Sequence, residues 1–139
     1  CRMRVDLVVG AAFTCFSFVM LSGIAAAVFA VLRWQRRKLL AQAAALGVAT
    51  ISLARDREAV GWAARMISMF LSPPDHRAGA RTRFDSAWSE RVLGARDARS
   101  GVEVALLMNT ALHVVTGFMF GTMFVIGVIG IIVNVALRR

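Results

Sequence analysis

The chain has 139 residues, is 58% hydrophobic, lacks Tyr and carries a formal charge of +9. Its mean hydropathy is +0.66, and its apolar residues gather in runs long enough to cross a bilayer, which argues against an ordinary soluble domain. The two cysteines, Cys1 and Cys15, form no C-x-x-C pair and stand at different depths, which excludes a zinc or iron–sulfur framework and an internal disulfide.

The first predicted element is a transmembrane helix over 7–32, uncharged throughout. At the helical rise it reaches roughly 39 Å, enough for a hydrocarbon core of about 30 Å with tilt. Arg2, Arg4 and Asp6 precede it and "RWQRRK" (33–38) follows it. Trp34 beside Arg36, Arg37 and Lys38 reads as an interfacial anchor. Two rows of small residues, Gly10, Thr14 and Ser17, and Ser22, Ala26 and Ala30, fit close packing of helices. The sequence opens on Cys1 and not Met, which leaves open a removed targeting segment or a start that is not represented.

A basic, helix-containing segment follows over 33–102. Its Ala-rich run 39–54 carries no charge. It either continues the first helix as a stalk or folds back as a third, short span, and an uncharged surface of that length asks for a partner. Over 56–72 the stripe Val60, Ala63, Ile67 and Phe70, with Arg57, Arg65 and Ser68 turned away, predicts an amphipathic helix lying on a surface. "SPPD" (72–75) is expected to end it. A second amphipathic helix is predicted over 83–99, with Phe84, Trp88, Val92 and Ala95 on one side and arginines in its last turn. Trp62, Phe70, Phe84 and Trp88 are the expected apolar contacts of these helices with the membrane interface. Met66 and Met69 read as adaptable packing.

After "SG" (100–101) a second transmembrane helix is predicted over 103–137. From Val104 to Leu137 no residue carries a fixed charge, and that stretch spans roughly 51 Å as a helix, longer than the bilayer core. Thirteen of the 17 basic residues lie between the two spans, against Arg2, Arg4, Arg138 and Arg139 outside them. The positive-inside rule then places the loop on the cytoplasmic, matrix or stromal side, with both termini opposite. The expected fold class is an all-α membrane protein: two transmembrane helices joined by a segment with amphipathic interfacial helices.

The polar residues of the second span are the main functional candidates. Thr110, His113, Gly117 and Gly121 fall on nearly one face at helical spacing, and Asn109 joins them as a polar packing candidate. Glycines four apart let another backbone approach, and Asn109 and His113 are placed to hydrogen-bond a neighbouring helix, so a packing ridge is the expected role. An ionisable residue in a span is also a functional candidate, as a haem ligand, a quinone contact or a proton relay. A b-type haem takes two axial ligands, and the second histidine, His76, lies in the "PPDHR" stretch far along the chain. The stretch "TALHVVTG" (110–117) faintly resembles the Ser-x-x-His-Arg-x-Thr-Gly pattern in membrane anchors of succinate dehydrogenase, with Val114 in place of Arg. "VDLVVGAAF" (5–13) resembles the first helix of large-conductance mechanosensitive channels, whose two spans are joined by a short loop, unlike these. Each likeness covers fewer than a dozen residues, and neither carries a function over.

Catalysis finds no constellation in the sequence. Asp56, Glu58, Asp75, Asp85, Glu90 and Asp97 stand among arginines, without a nucleophile–base spacing or a phosphate-binding glycine loop. The same interleaved acids break up any basic stripe for nucleic acid, and anionic lipid headgroups or an acidic partner fit better. The expected function is a non-catalytic accessory subunit of a multisubunit membrane complex, in an inner mitochondrial, plastid or bacterial inner membrane. Its partners would be other membrane subunits, with no cofactor, metal or small-molecule substrate. The alternatives are a redox or transport subunit built on His113 and a self-assembling, membrane-shaping protein.

Overall fold

A computed structural model describes the backbone of residues 2–48 and 53–137, with side chains at residue 6 and over 8–48 and 56–137. The expected roles of Cys1, Arg2, Arg4, Arg138 and Arg139 lie outside these described side chains. The described chain is four α-helices: α1 (Arg2–Ala45), α2 (Leu53–Leu71), α3 (Pro74–Leu93) and α4 (Ala98–Leu137). Helices α1 and α4 are long and apolar enough to cross a membrane, over Val8–Ala45 and Ala98–Leu137. The chain divides into two compact units, residues 1–30 with 116–139, and residues 31–115.

In the first unit the two long helices run antiparallel. Phe18 meets Phe124 edge-on with ring centroids 5.4 Å apart, while Phe29 reaches Gly117 at the other end of the pairing. Phe18 also lies over Gly127, where an added Cβ would stand 2.8 Å from the ring and make it shift. The rest of the unit is mostly exposed apolar surface, with Val19 69% and Ile126 64% exposed. The stretch 116–137 is roughly 33 Å long as a helix, close to the thickness of a hydrocarbon core. Thr14 and Ser17 donate back to the carbonyls of Gly10 and Phe13, which satisfies these hydroxyls within the helix.

The second unit holds the apolar core. Ala59, Trp62, Ala63 and Met66 form one face of α2 at helical spacing and pack on Leu107, Ala111 and Val115 of α4. Ala59, Ala63 and Ala111 are fully buried, and their small side chains allow the two backbones to lie close. From α3, Phe84 and Trp88 set their rings edge-on to Trp62, at centroid distances of 5.6 and 5.2 Å. The buried stripe of α2 is therefore rotated from the one predicted. Ala63 and Ile67 face the core, but Val60 and Phe70 are 53% and 56% exposed. The cause is Trp62, whose large surface is covered by the two α3 aromatics and draws the Ala59–Met66 side inward.

Helix boundaries also differ from expectation, for local reasons. Residues 39–45 continue α1, as the stalk alternative required, and Gly47 ends it at φ +65°, a conformation that favours glycine. The Val48 N–H donates to the Ala43 carbonyl at 2.9 Å and the Gly47 N–H to Ala44 at 3.1 Å, the double bond of a Schellman turn. The Ala-rich run is thus divided between α1 and the start of α2, and its residues 49–52 lie outside the described backbone. Helix α3 starts nine residues earlier than predicted, because Pro74 occupies its first turn, where a missing N–H costs nothing. His76 consequently sits in a helix and not a loop. Helix α3 closes at Leu93, so Val92 is half exposed and Ala95 falls beyond it. Ser100 and Gly101 are within α4, which Asp97 caps.

Candidate functional site

Asn109 is the most constrained polar residue of the candidate ridge. It is 4% exposed, and its Nδ2 donates to the Leu32 carbonyl of α1 at 3.1 Å. Its Oδ1 is buried without a hydrogen-bond partner among the described residues. A buried amide oxygen in that condition costs roughly 1–3 kcal/mol. Leu32 is the last uncharged residue before the basic "RWQRRK" stretch, so this bond sets Asn109 level with the edge of the first apolar run.

The remaining ridge residues behave differently from one another. Thr110 donates to the Leu106 carbonyl of its own helix at 3.0 Å. His113 Nδ1 lies 2.8 Å from the Asn109 carbonyl, again on its own helix, and donates to it as the Nδ1–H tautomer. The structure thus brings Asn109 against another helix of this chain through a polar bond. Gly117 has Phe29 as its neighbour at 3.9 Å, and a Cβ at Gly121 would meet nothing within 4 Å. Gly121 therefore presents bare helix surface outward from its own unit.

The interfacial candidates divide in the same way. Trp34 is 56% exposed, and the Lys38 ammonium lies 3.7 Å over its ring, a cation–π contact along α1. Arg37 is exposed and Arg36 partly so. Phe70 is exposed, whereas Trp62 is buried and Phe84 and Trp88 are half-buried against it. These three aromatics pack together in the core of the second unit, with Phe84 and Trp88 keeping a partly exposed side.

The clefts of the second unit include three among the described residues. One, of about 440 Å³, is lined by Trp62, Glu58, Glu90 and Glu103 with Arg65 and Arg91. Arg91 and Glu58 pair at 2.9 Å and join α3 to α2. Ser100, on its wall, donates to Asp97, so its hydroxyl proton is engaged. A second groove, about 530 Å³, has Arg65, Arg83, Ser68 and Ser72 around Phe84, without a lining carboxylate. The third, about 520 Å³, lies among α1, α3 and α4; Gln35, Lys38 and Gln42 face Trp88, Met108 and Asn109 across it. No three His, Cys, Asp or Glu side chains gather as a metal-binding group among the described residues.

Two arginines have roles that sequence reasoning missed. Arg99 donates to the Gly47 carbonyl at 3.0 Å and so caps the end of α1 from the first turn of α4. Arg77 reaches the carbonyls of Ser72 and Phe70 at 3.3 and 3.5 Å, closing the end of α2. Cations suit these ends, where unpaired carbonyls concentrate negative potential. The Pro-Pro turn was a signal for Arg77; nothing local announces Arg99, whose partner is 52 positions away. At the start of α4, the Ser100 hydroxyl and then its backbone N–H bond to Asp97 and hold its carboxyl below the usual value of 3.8. No protein-family model matches the chain, and no curated protein or solved structure resembles it.

Proposed function

We propose that this protein is a non-catalytic accessory subunit of a multisubunit membrane complex, held in the bilayer by α1 and α4. The observation that carries the reading is the imbalance between apolar surface and apolar core. Buried side chains are concentrated in the second unit, while the helices of the first leave Phe13 70%, Phe16 63%, Ile126 64% and Ile132 61% exposed. Lipid tails cover such surface without difficulty, but they fill poorly against bare backbone. Gly10, Gly23, Gly121 and Gly130 all have nothing within 4 Å of an added Cβ, the surface that close helix neighbours use in lipid.

The loop unit faces the cytoplasmic, matrix or stromal side in this reading, since 13 basic residues lie there against four outside. Its exposed arginines meet anionic headgroups, each adding about 1 kcal/mol near a charged surface. Energy-converting membranes, the inner membranes of mitochondria and bacteria and those of plastids, hold many subunits of this build. The test is affinity purification of the tagged chain from its native membrane in mild detergent. Stoichiometric recovery of the same membrane proteins in repeat preparations supports the reading; recovery of the chain alone, well dispersed and intact, removes it.

A further inference from the structure

We infer that the cleft among α1, α3 and α4 holds one anionic phospholipid whose headgroup carries a hydroxyl. The inference rests on the reading of α1 and α4 as membrane helices. Its place in the chain is the first argument. Asn109, on the cleft wall, is bonded to the carbonyl of Leu32, the residue at which the first apolar run gives way to charge. The cleft therefore lies where a headgroup meets acyl chain. Its walls follow the same division: Gln35, Lys38 and Gln42 supply polar groups from α1, while Trp88 and Met108 supply apolar surface from α3 and α4.

Charge is the second argument. Lys38 is the one lysine among 17 basic residues, and no carboxylate lines the cleft. Its ammonium, placed over Trp34, is a compact cation suited to a phosphate as a point charge. The amides of Gln35 and Gln42 stand on the same side of α1 and add donors for the remaining phosphate oxygens. Basic pockets between membrane helices on the positive-inside face suit anionic headgroups, and a volume of about 520 Å³ is within the usual span of ligand sites.

The third argument is Asn109 itself. Its Nδ2 is committed to Leu32, and its Oδ1 is buried without a partner among the described residues. That oxygen accepts and cannot donate, so the group that completes it must be a donor. A phosphodiester has no proton to offer at neutral pH, but a headgroup hydroxyl does. Phosphatidylglycerol has both parts, an anionic phosphate for Lys38 and a hydroxyl for Asn109. Phosphatidylmethanol, a phosphodiester like phosphatidylglycerol, has the charge without a hydroxyl, and phosphatidylcholine has neither the net charge nor the hydroxyl.

The experiment uses the full chain in vesicles of phosphatidylcholine with a minor fraction of either phosphatidylglycerol or phosphatidylmethanol. Flotation first reports whether the chain enters the bilayer. Native mass spectrometry after mild extraction then counts the lipids retained. The expected result is one phosphatidylglycerol per chain, with phosphatidylmethanol retained about tenfold less and phosphatidylcholine displaced in competition. Lys38→Gln lowers phosphatidylglycerol retention about tenfold, while Arg37→Gln, outside the cleft lining, changes it less than about twofold. The lipid series on the unaltered chain keeps the test valid if a variant misfolds. Equal retention of the two acidic lipids removes the role of Asn109 and overturns the proposal. So does equal loss in the two charge variants, which is a diffuse surface effect, or equal binding of soluble glycerophosphoglycerol, which marks a phosphate site without a lipid. A chain that fails to float overturns the membrane reading itself, and a chain that floats without selective retention overturns this inference alone.

Discussion

Replacing Trp62 by Ala separates the observed core from the one that apolar periodicity suggested. Trp62 is 7% exposed, touches the α3 aromatics edge-on, and has the Arg65 guanidinium 4.9 Å from its ring. Burying an aromatic of this size withdraws about 150–250 Å² from water. Truncation to Ala in a packed core costs about 3–5 kcal/mol, the aromatic pairs contributing roughly 0.5–1.5 kcal/mol each within that total. Val60 belongs to the predicted stripe but is 53% exposed, so Val60→Ala should cost less than about 0.5 kcal/mol. The assay is amide hydrogen exchange on the detergent-solubilised full chain, comparing protection over residues 56–71 and 75–93. Trp62→Ala should lower protection in both segments together, because its ring joins α2 to α3, while the first unit keeps its own protection. Equal effects from the two variants, or a larger one from Val60→Ala, would refute the placement of the α2 face.

Four further variants probe other positions. Arg99→Ala removes the bond to the Gly47 carbonyl and should cost about 1 kcal/mol, read as faster exchange in the last turn of α1 with α3 unaffected. Asp97 has a folded-state pKa below its ordinary 3.8, so its contribution is fully present above that value and is lost as pH falls through the lower folded value. Fraying of the first turn of α4 should therefore begin below about pH 3.8 in the native chain, and Asp97→Asn should abolish that dependence. Gly127→Leu strikes Phe18 within the chain and should lower amide protection in both long helices of the first unit. Gly121→Leu meets open space in its unit and should leave that protection intact while reducing recovery of partner subunits.

The two long helices and the amphipathic character of the middle were legible because uncharged runs and helical periodicity are local properties. Capping at Asp97 and the proline start of α3 were legible in principle, since both depend on neighbours within a few residues. The face that α2 buries was not. Its amphipathic stripe is wide enough to roll, and Trp62 against Phe84 and Trp88 decides the roll through tertiary contacts. Asn109 and His113 were legible as polar residues in an apolar run, but their partners were not. Asn109 bonds a carbonyl 77 positions away, while His113 bonds its own helix four residues back. The sequence alone offers both as hydrogen-bonding groups to a neighbouring helix.

The most direct test of the membrane-subunit account is recovery of the tagged chain from its native membrane in mild detergent, alongside Gly121→Leu expressed at the same level. The account predicts that the native chain migrates in a larger assembly with a fixed set of membrane proteins, and that Gly121→Leu is displaced from it while keeping its helix content. A native chain recovered from the soluble fraction, or one that is monodisperse and protease-resistant without companions, would contradict it.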